Sequence, residues 1–164
     1  MSATAAPAGD GGGPGVQGVH HVGASVSDLG ASLGFWEAFV RTPARWRGTL
    51  ERPYVAETVG LPGIRIEAAF LDLPGGVLLE LLDYQTPDRT PNPDATANPG
   101  NVHLCLRVAD CERAFAHAVA CGARPVRAEG PVLIDAGPNA GARAAYLRVP
   151  DGITLELYQP RPAA

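Results

Sequence analysis

Two histidines and two glutamates stand at matched places in this chain, and their types suit a divalent metal ion. Residues 69–81 read AFLDLPGGVLLEL and residues 145–157 read AYLRVPDGITLEL, identical at seven of thirteen positions. Upstream, HVGASVSD at 21–28 and HLCLRVAD at 103–110 repeat His, Val and Asp at the same places. Each half therefore opens on a histidine and closes on a glutamate: His21 with Glu80, and His103 with Glu156. Two imidazoles and two carboxylates make a mixed nitrogen and oxygen donor set suited to one ion of Mn, Fe(II), Co, Ni or Zn. If two copies of one unit pack face to face, the four side chains can meet on a pseudo-twofold axis. A six-coordinate ion held this way keeps two adjacent positions for water or a chelating substrate.

The elements that must place these residues follow from hydrophobic periodicity. Residues 18–26 alternate as a strand, and 28–40 put Leu29, Leu33, Trp36, Phe39 and Val40 on one helical stripe after Asp28, an N-cap. Residues 53–60, 63–73 and 76–84 read as three strands, with LPGG as the tight turn of the last hairpin. Residues 85–100, rich in Pro and Asn, read as a linker. The order then returns: a strand at 102–108, Asp110 as cap, a helix at 111–121, and short strands with VPDG turning the final hairpin at 149–152. The domain division expected is a disordered tail at 1–17, one module at 18–84, a second at 101–159 and a short tail at 160–164. Alternation sets His21, Gly23 and Ser25 on one strand face and His103, Cys105 and Arg107 on its counterpart. The two glutamates sit mid-strand among apolar residues, where an uncompensated carboxylate is costly and a cation is the natural partner. Taken singly, a strand His or Glu is more often an edge or solvent-facing residue; matched positions in a repeat favour the joint reading. His20 is placed on the helix-covered face and His117 on the second helix, both as structural residues.

Composition narrows the function classes. A chain of 164 residues suits one compact domain with a shared core. A net charge of −4 and thirteen scattered arginines without a lysine give nucleic acid no reason to approach. Cys105, Cys111 and Cys121 lie within one strand and helix, where pairing would distort the backbone, so a reducing cytoplasm is the expected setting. The start, MSATAAPAGDGGGPG, lacks the basic and apolar regions of a signal peptide, and no apolar run is long enough to span a membrane.

The string HHVGASVSDLGASLGFW, with LLELL, VHLCLRV and DGITLELYQ at these intervals, resembles the vicinal oxygen chelate superfamily over residues 18–159. That superfamily includes glyoxalase I, methylmalonyl-CoA epimerase, cyclitol-ketone epimerases, extradiol dioxygenases and bleomycin-type resistance proteins. The resemblance implies an α+β fold of two βαβββ modules forming a cupped mixed sheet, helices outside. It implies metal ligation by His21, Glu80, His103 and Glu156, similar to the His, Glu, His, Glu set of bacterial glyoxalase I; methylmalonyl-CoA epimerases usually have Gln at the second place.

The chemistry such a site would serve is proton transfer next to a carbonyl, the metal acting as Lewis acid for the developing enolate. Glu67 is expected to point into the cup as base, with Arg143, its repeat-equivalent, as an anion clamp, and Arg107 as a further substrate-binding cation. Glu156 or Glu80 could also leave the metal to serve as a base, as the resemblance permits. The expected function is a metal-dependent epimerase or isomerase of a small sugar- or cyclitol-like hydroxyketone, or of an acyl thioester. A glyoxalase I-type lactoylglutathione lyase comes second. An extradiol dioxygenase needs three open metal positions, and a metal-free resistance protein would have no use for all four ligands. The partner is a small molecule, and a homodimer is expected from the family, the segment 85–100 allowing modules to exchange between chains.

Overall fold

A computed structural model describes residues 15–91 and 95–162; the expected tails at 1–17 and 160–164 and the middle of the linker fall partly outside these. The chain runs β1 (His21–Ser25), α1 (Leu29–Val40), β2 (Trp46–Leu50), α2 (Pro53–Val59), β3 (Ile66–Leu73) and β4 (Val77–Tyr84), then β5 (His103–Arg107), α3 (Cys111–Ala120), β6 (Arg124–Pro125), β7 (Val132–Leu133), β8 (Arg143–Arg148) and β9 (Thr154–Gln159). Two mixed sheets result, ordered β1-β4-β3-β2 and β5-β9-β8-β6, with β7 pairing β8. In each, the opening strand lies parallel to the closing one. This is the α+β fold of two βαβββ-type modules that the repeat implies.

Both main helices start on the aspartates read as caps. Asp28 accepts from the Ala31 amide at 2.9 Å and Asp110 from the Arg113 amide at 3.0 Å, each satisfying one of the orphan first-turn donors. One segment differs from the sequence reading: 53–60 is a helix, and the missing strand is β2 at 46–50. Pro53 at the first helical turn and Gly60 at φ 72 bracket α2, and Val55, Ala56 and Val59 pack on Ile64, Ile66 and Ala68. The apolar spacing of that segment therefore serves helical packing, not alternation.

The helix-covered faces of both sheets feed one core. Leu33 and Trp36 of α1, Leu71 and Leu81 of the first sheet, Cys111 and Ala118 of α3, and Leu147, Leu155 and Leu157 of the second all belong to it. Each large apolar side chain so buried stabilises by roughly 1.5–3 kcal/mol against exposure. Phe39 at the end of α1 stacks on His117 of α3 at 5.7 Å between ring centroids, and the His117 ring bonds the Phe39 carbonyl. His117 is thus structural, whereas His20 is exposed ahead of β1 beside His21 and covers no helix face.

A second tie joins the halves. Asp151, in the turn between β8 and β9 at φ 64, accepts from the Ser27 amide at 2.8 Å, from the Ser27 hydroxyl, and from the hydroxyl of buried Ser32 at 2.8 Å. Its repeat-equivalent is Gly75, which also has a positive φ, of 93. Asp151→Gly keeps the backbone conformation and deletes only these bonds. It is expected to cost about 2 kcal/mol, the scale of hydrogen bonds to a charged group, and to lower Tm by roughly 4–8 °C in a thermal melt.

Candidate functional site

The two His/Glu pairs assemble as the repeat demands, one in each half. On β1, alternation turns Val22 and Ala24 toward the core and leaves His21, Gly23 and Ser25 on the open face. β4 runs alongside in parallel with Gly23 opposite Glu80, so the carboxylate emerges next to the imidazole. His21 Nε2 lies 3.2 Å from Glu80 Oε2. The second half repeats this with Cys105 opposite Glu156, and His103 Nε2 lies 3.0 Å from Glu156 Oε2. In both pairs the carboxylate is mostly covered, at 15 % and 18 % exposed, and the imidazole about 40 % open. A nitrogen and an oxygen donor side by side on a sheet face have the ligand types of the expected chemistry. Among the described residues no group of three His, Cys, Asp or Glu side chains is placed to hold a metal ion, and the two couples stand one in each sheet.

The other named residues divide. Arg107 lies on the open face of β5 in register with Tyr158 and lines a cleft of about 380 Å³ with Gln159 and Arg161. Glu67 does not enter the cup. In the β3–β4 register Phe70 stands opposite Glu80 and Glu67 opposite Asp83, so Glu67 shares the face of Leu81, away from His21. There it accepts from the Arg65 guanidinium at 2.8 Å and from the Thr49 hydroxyl at 3.0 Å, and these bonds, Arg65 foremost, hold its carboxyl below the usual range. A base needs a lone pair near the reacting carbon, and on this face Glu67 lacks that placement. Arg143 is corrected for the same reason. It stands opposite Gln159 on the helix side and pairs with Glu112 of α3 at 3.2 Å, so it is no clamp beside Glu156.

Residues not singled out from the sequence complete the open faces. Tyr146 stands directly opposite Glu156, its ring 5.2 Å from that of His103, and Phe70 is its counterpart opposite Glu80, packed on Trp46 at 5.4 Å. The aromatic shared by positions 70 and 146 of the repeat was the available signal. Burial and the Glu156 carboxylate push the Tyr146 phenol up, so it stays a protonated donor. Cys105 replaces Gly23 beside the glutamate, and burial and then Glu156 raise its thiol to about 11. In metal-free protein at pH 8, a thiol raised that far carries roughly a hundredth of the ordinary thiolate. Cys105, though exposed, is therefore expected to alkylate with iodoacetamide about a hundredfold more slowly than an ordinary thiol, read by peptide mass spectrometry. A larger cleft, about 1130 Å³ beside α2 and lined by Thr49, Arg52, Ile64 and Arg65, holds none of the four ligand candidates.

Paired sheets of this topology, each with a His/Glu couple on its open face, define a glyoxalase-type fold. The chain belongs to the glyoxalase-like domain family, whose pattern it matches over residues 21–152. It is 32% identical over 152 residues to a 2-epi-5-epi-valiolone epimerase of an Actinomyces species, covering 88% of this chain and 80% of that protein. The fold is also that of a glyoxalase family protein from Bacillus cereus, with TM-score 0.76 at 20% identity over 90% of this chain and 96% of that one. A fosfomycin resistance protein from Listeria monocytogenes, solved with Mn(II) and dihydroxypropylphosphonic acid, is similar at TM-score 0.55 and 16% identity, covering 87% of this chain and 92% of that one. Among the described residues no helix is long and apolar enough to cross a membrane.

Proposed function

We propose that this protein is a divalent-metal-dependent epimerase of a small cyclitol- or sugar-like hydroxyketone. The observation that carries the reading is the duplicated His/Glu couple, 3.2 Å and 3.0 Å between donor atoms, on the open face of corresponding strands. Kinship with a valiolone epimerase supports the substrate class. His21, Glu80, His103 and Glu156 would hold the ion, whose contribution is to stabilise negative charge on the substrate carbonyl oxygen.

Both core faces pack on the same buried cluster, and the two couples lie on the opposite face of each sheet. A dimer about a twofold axis brings the His21/Glu80 face of each copy against the His103/Glu156 face of the other, making two equivalent four-ligand sites. A homodimer is also what the family resemblance implies.

The carboxylates do the proton work. Glu156 takes the proton from the carbon beside the carbonyl; the C–H electron pair moves into the carbon–carbon bond as the carbonyl π pair shifts to oxygen. Glu80, on the facing half of the site, having taken a proton from water, delivers it to the opposite face of that carbon as the oxygen electron pair re-forms the carbonyl, which inverts the centre; exchange with water then resets both carboxyls. The Tyr146 hydroxyl, kept protonated, donates toward substrate oxygen, while Phe70 and Trp46 form an apolar wall that excludes water.

The test is metal stoichiometry by plasma mass spectrometry on protein without a His tag, for wild type, His103→Ala and Glu156→Gln. About one ion per site in wild type, lost in both variants, followed by metal-dependent solvent-deuterium uptake into a hydroxyketone, is expected. A protein that takes up none of Mn, Fe(II), Co, Ni or Zn on reconstitution would sink the enzyme reading and leave a ligand-binding one.

A further inference from the structure

We infer that Trp46, laid over Gly48 on the same sheet face as the His21/Glu80 couple, is a stacking platform for the substrate, which is therefore a cyclic polyhydroxy ketone and not an open-chain one. The inference deepens the epimerase reading and rests on it for its functional meaning. Across the first sheet, Gly23, Glu80, Phe70 and Trp46 stand in register as one lateral row on the open face. Ser25, Leu82, Ala68 and Gly48 form the next row. At that end α2 walls the face, its Val55, Ala56 and Val59 sharing a cluster with Ile66, Ala68 and Leu82.

Packing alone leaves two features of Trp46 unexplained. It is 39 % exposed, whereas Trp36, the other tryptophan of the chain, is 1 % exposed. A large aromatic left open on a sheet forgoes the stabilisation that burial would bring. Room has also been made for it. A β carbon at Gly48 would meet the Trp46 indole at 2.6 Å, so the indole occupies space that any other side chain at 48 would fill. Glycine inside a strand weakens the strand and marks a close approach. Here the approaching group is the indole, with its cross-strand partner Phe70 at 5.4 Å between ring centroids and tilted by 40°. The result is an aromatic plate resting on the sheet with much of its surface open.

A ring with its hydroxyls spread around the rim carries C–H bonds on both faces. Those faces are apolar and slightly electropositive, the face of an indole is electronegative, and the two attract. An open chain presents no such face. The plate is also correctly placed. Phe70 stands one strand spacing from Glu80 and Trp46 stands two, roughly 10 Å between backbones, so a ring resting on the pair has its near edge at the couple. In the row on the other side, Asp72 stands across Leu78 from His21 and pairs with Arg45 at 3.2 Å, both side chains more than half exposed. A carboxylate that accepts and a guanidinium that donates suit the hydroxyls on a ring's rim. In the second half the residue flanking Tyr146 is Val126, whose amide bonds the Tyr146 carbonyl at 3.0 Å, so the plate marks one end of the site.

The experiment compares two uncharged probes, pentahydroxycyclohexanone with every hydroxyl equatorial and open-chain erythrulose, by saturation-transfer NMR titration. The proteins are wild type, Trp46→Ala, Trp46→Phe and Gly48→Ala, each checked by thermal melt and gel filtration. Wild type is expected to bind the ring about tenfold or more tightly than the chain. Trp46→Ala should lose about tenfold in affinity for the ring and at most about twofold for the chain, and Trp46→Phe should recover part of that loss. Gly48→Ala keeps the indole but displaces it, and should lose ring affinity about several-fold. If Trp46→Ala does not fold, the other two variants carry the test. A purely structural role would shift the melt and leave the ratio of the two affinities unchanged. That result, or no saturable ring binding by wild type, would overturn the platform; so would a change of oligomeric state in Trp46→Ala with the ratio unchanged, which would make Trp46 an interface residue. Metal content and deuterium exchange in the same wild-type samples separate the two readings. Trp46-dependent ring preference without metal uptake would remove the epimerase and keep the platform; metal-dependent exchange without ring preference would do the reverse.

Discussion

Mixing His21→Ala protein with His103→Ala protein is expected to restore metal binding that neither variant has alone. Each variant spoils one kind of half-site in every copy, so each homodimer has two damaged sites. In a mixed dimer one site combines both lesions, while the other joins the intact His103/Glu156 face of the first variant to the intact His21/Glu80 face of the second. With random pairing of equal amounts, half the dimers are mixed and each has one sound site of two, so about a quarter of wild-type capacity returns. Unfolding and refolding the two together ensures exchange, and metal content per chain after gel filtration reads the result. The expectation follows from the donor atoms of each couple lying 3.2 Å and 3.0 Å apart, with no group of three such side chains placed to hold a metal among the described residues of one chain. Capacity that stays at zero after full exchange would mean that the four ligands come together within one chain, by a rearrangement of the two halves.

The division of the site into halves shows what the sequence could and could not carry. The repeat placed His21, Glu80, His103 and Glu156 on the correct strands, because a period of two along a strand needs only the strand itself. It misplaced Glu67 and Arg143, whose faces depend on how neighbouring strands pair. Reading LPGG as a tight turn between strands ending at 73 and starting at 76 pairs Glu67 with Leu82, on the Glu80 face. In the structure Leu73 pairs with Val77 across three residues, and that one-residue difference moves Glu67 opposite Asp83 on the other face. The second hairpin repeats the effect: Arg148 pairs with Thr154 across five residues, which turns Arg143 to the helix side and brings Tyr146 and Arg148 to the open one. Tyr146, which stands opposite Glu156, was hidden by the same step that turned Glu67 and Arg143 toward the cup. The helix at 53–59 was missed for another reason: seven residues carry too short a periodicity to outweigh β-branched valines, and only the flanking Pro53 and Gly60 mark it.

Glu67→Gln and Glu156→Gln are therefore expected to part company by orders of magnitude. Glu156 lies within 3.0 Å of His103 on the open face, and replacing it removes both a ligand of the proposed ion and the group that takes the proton. Loss of a positioned general base alone lowers turnover by about 10²–10⁴. Metal-dependent deuterium exchange in a hydroxyketone should fall at least that far, with metal content falling alongside. Glu67 bonds Arg65 and Thr49 on the opposite face, and its amide can still accept from both, so Glu67→Gln should keep its metal and stay within about threefold of wild-type exchange, as for a group that touches neither substrate nor ion. The pH dependence sharpens the contrast. The Glu67 carboxyl is held low by Arg65, so it stays ionised and paired as pH falls toward the ordinary carboxylate range. Any acid limb of the exchange profile in that range must then belong to other groups and should survive in Glu67→Gln. A Glu67→Gln protein that binds metal fully but has lost exchange would return the base to β3, and would require the β3–β4 pairing to shift by one residue in the working enzyme.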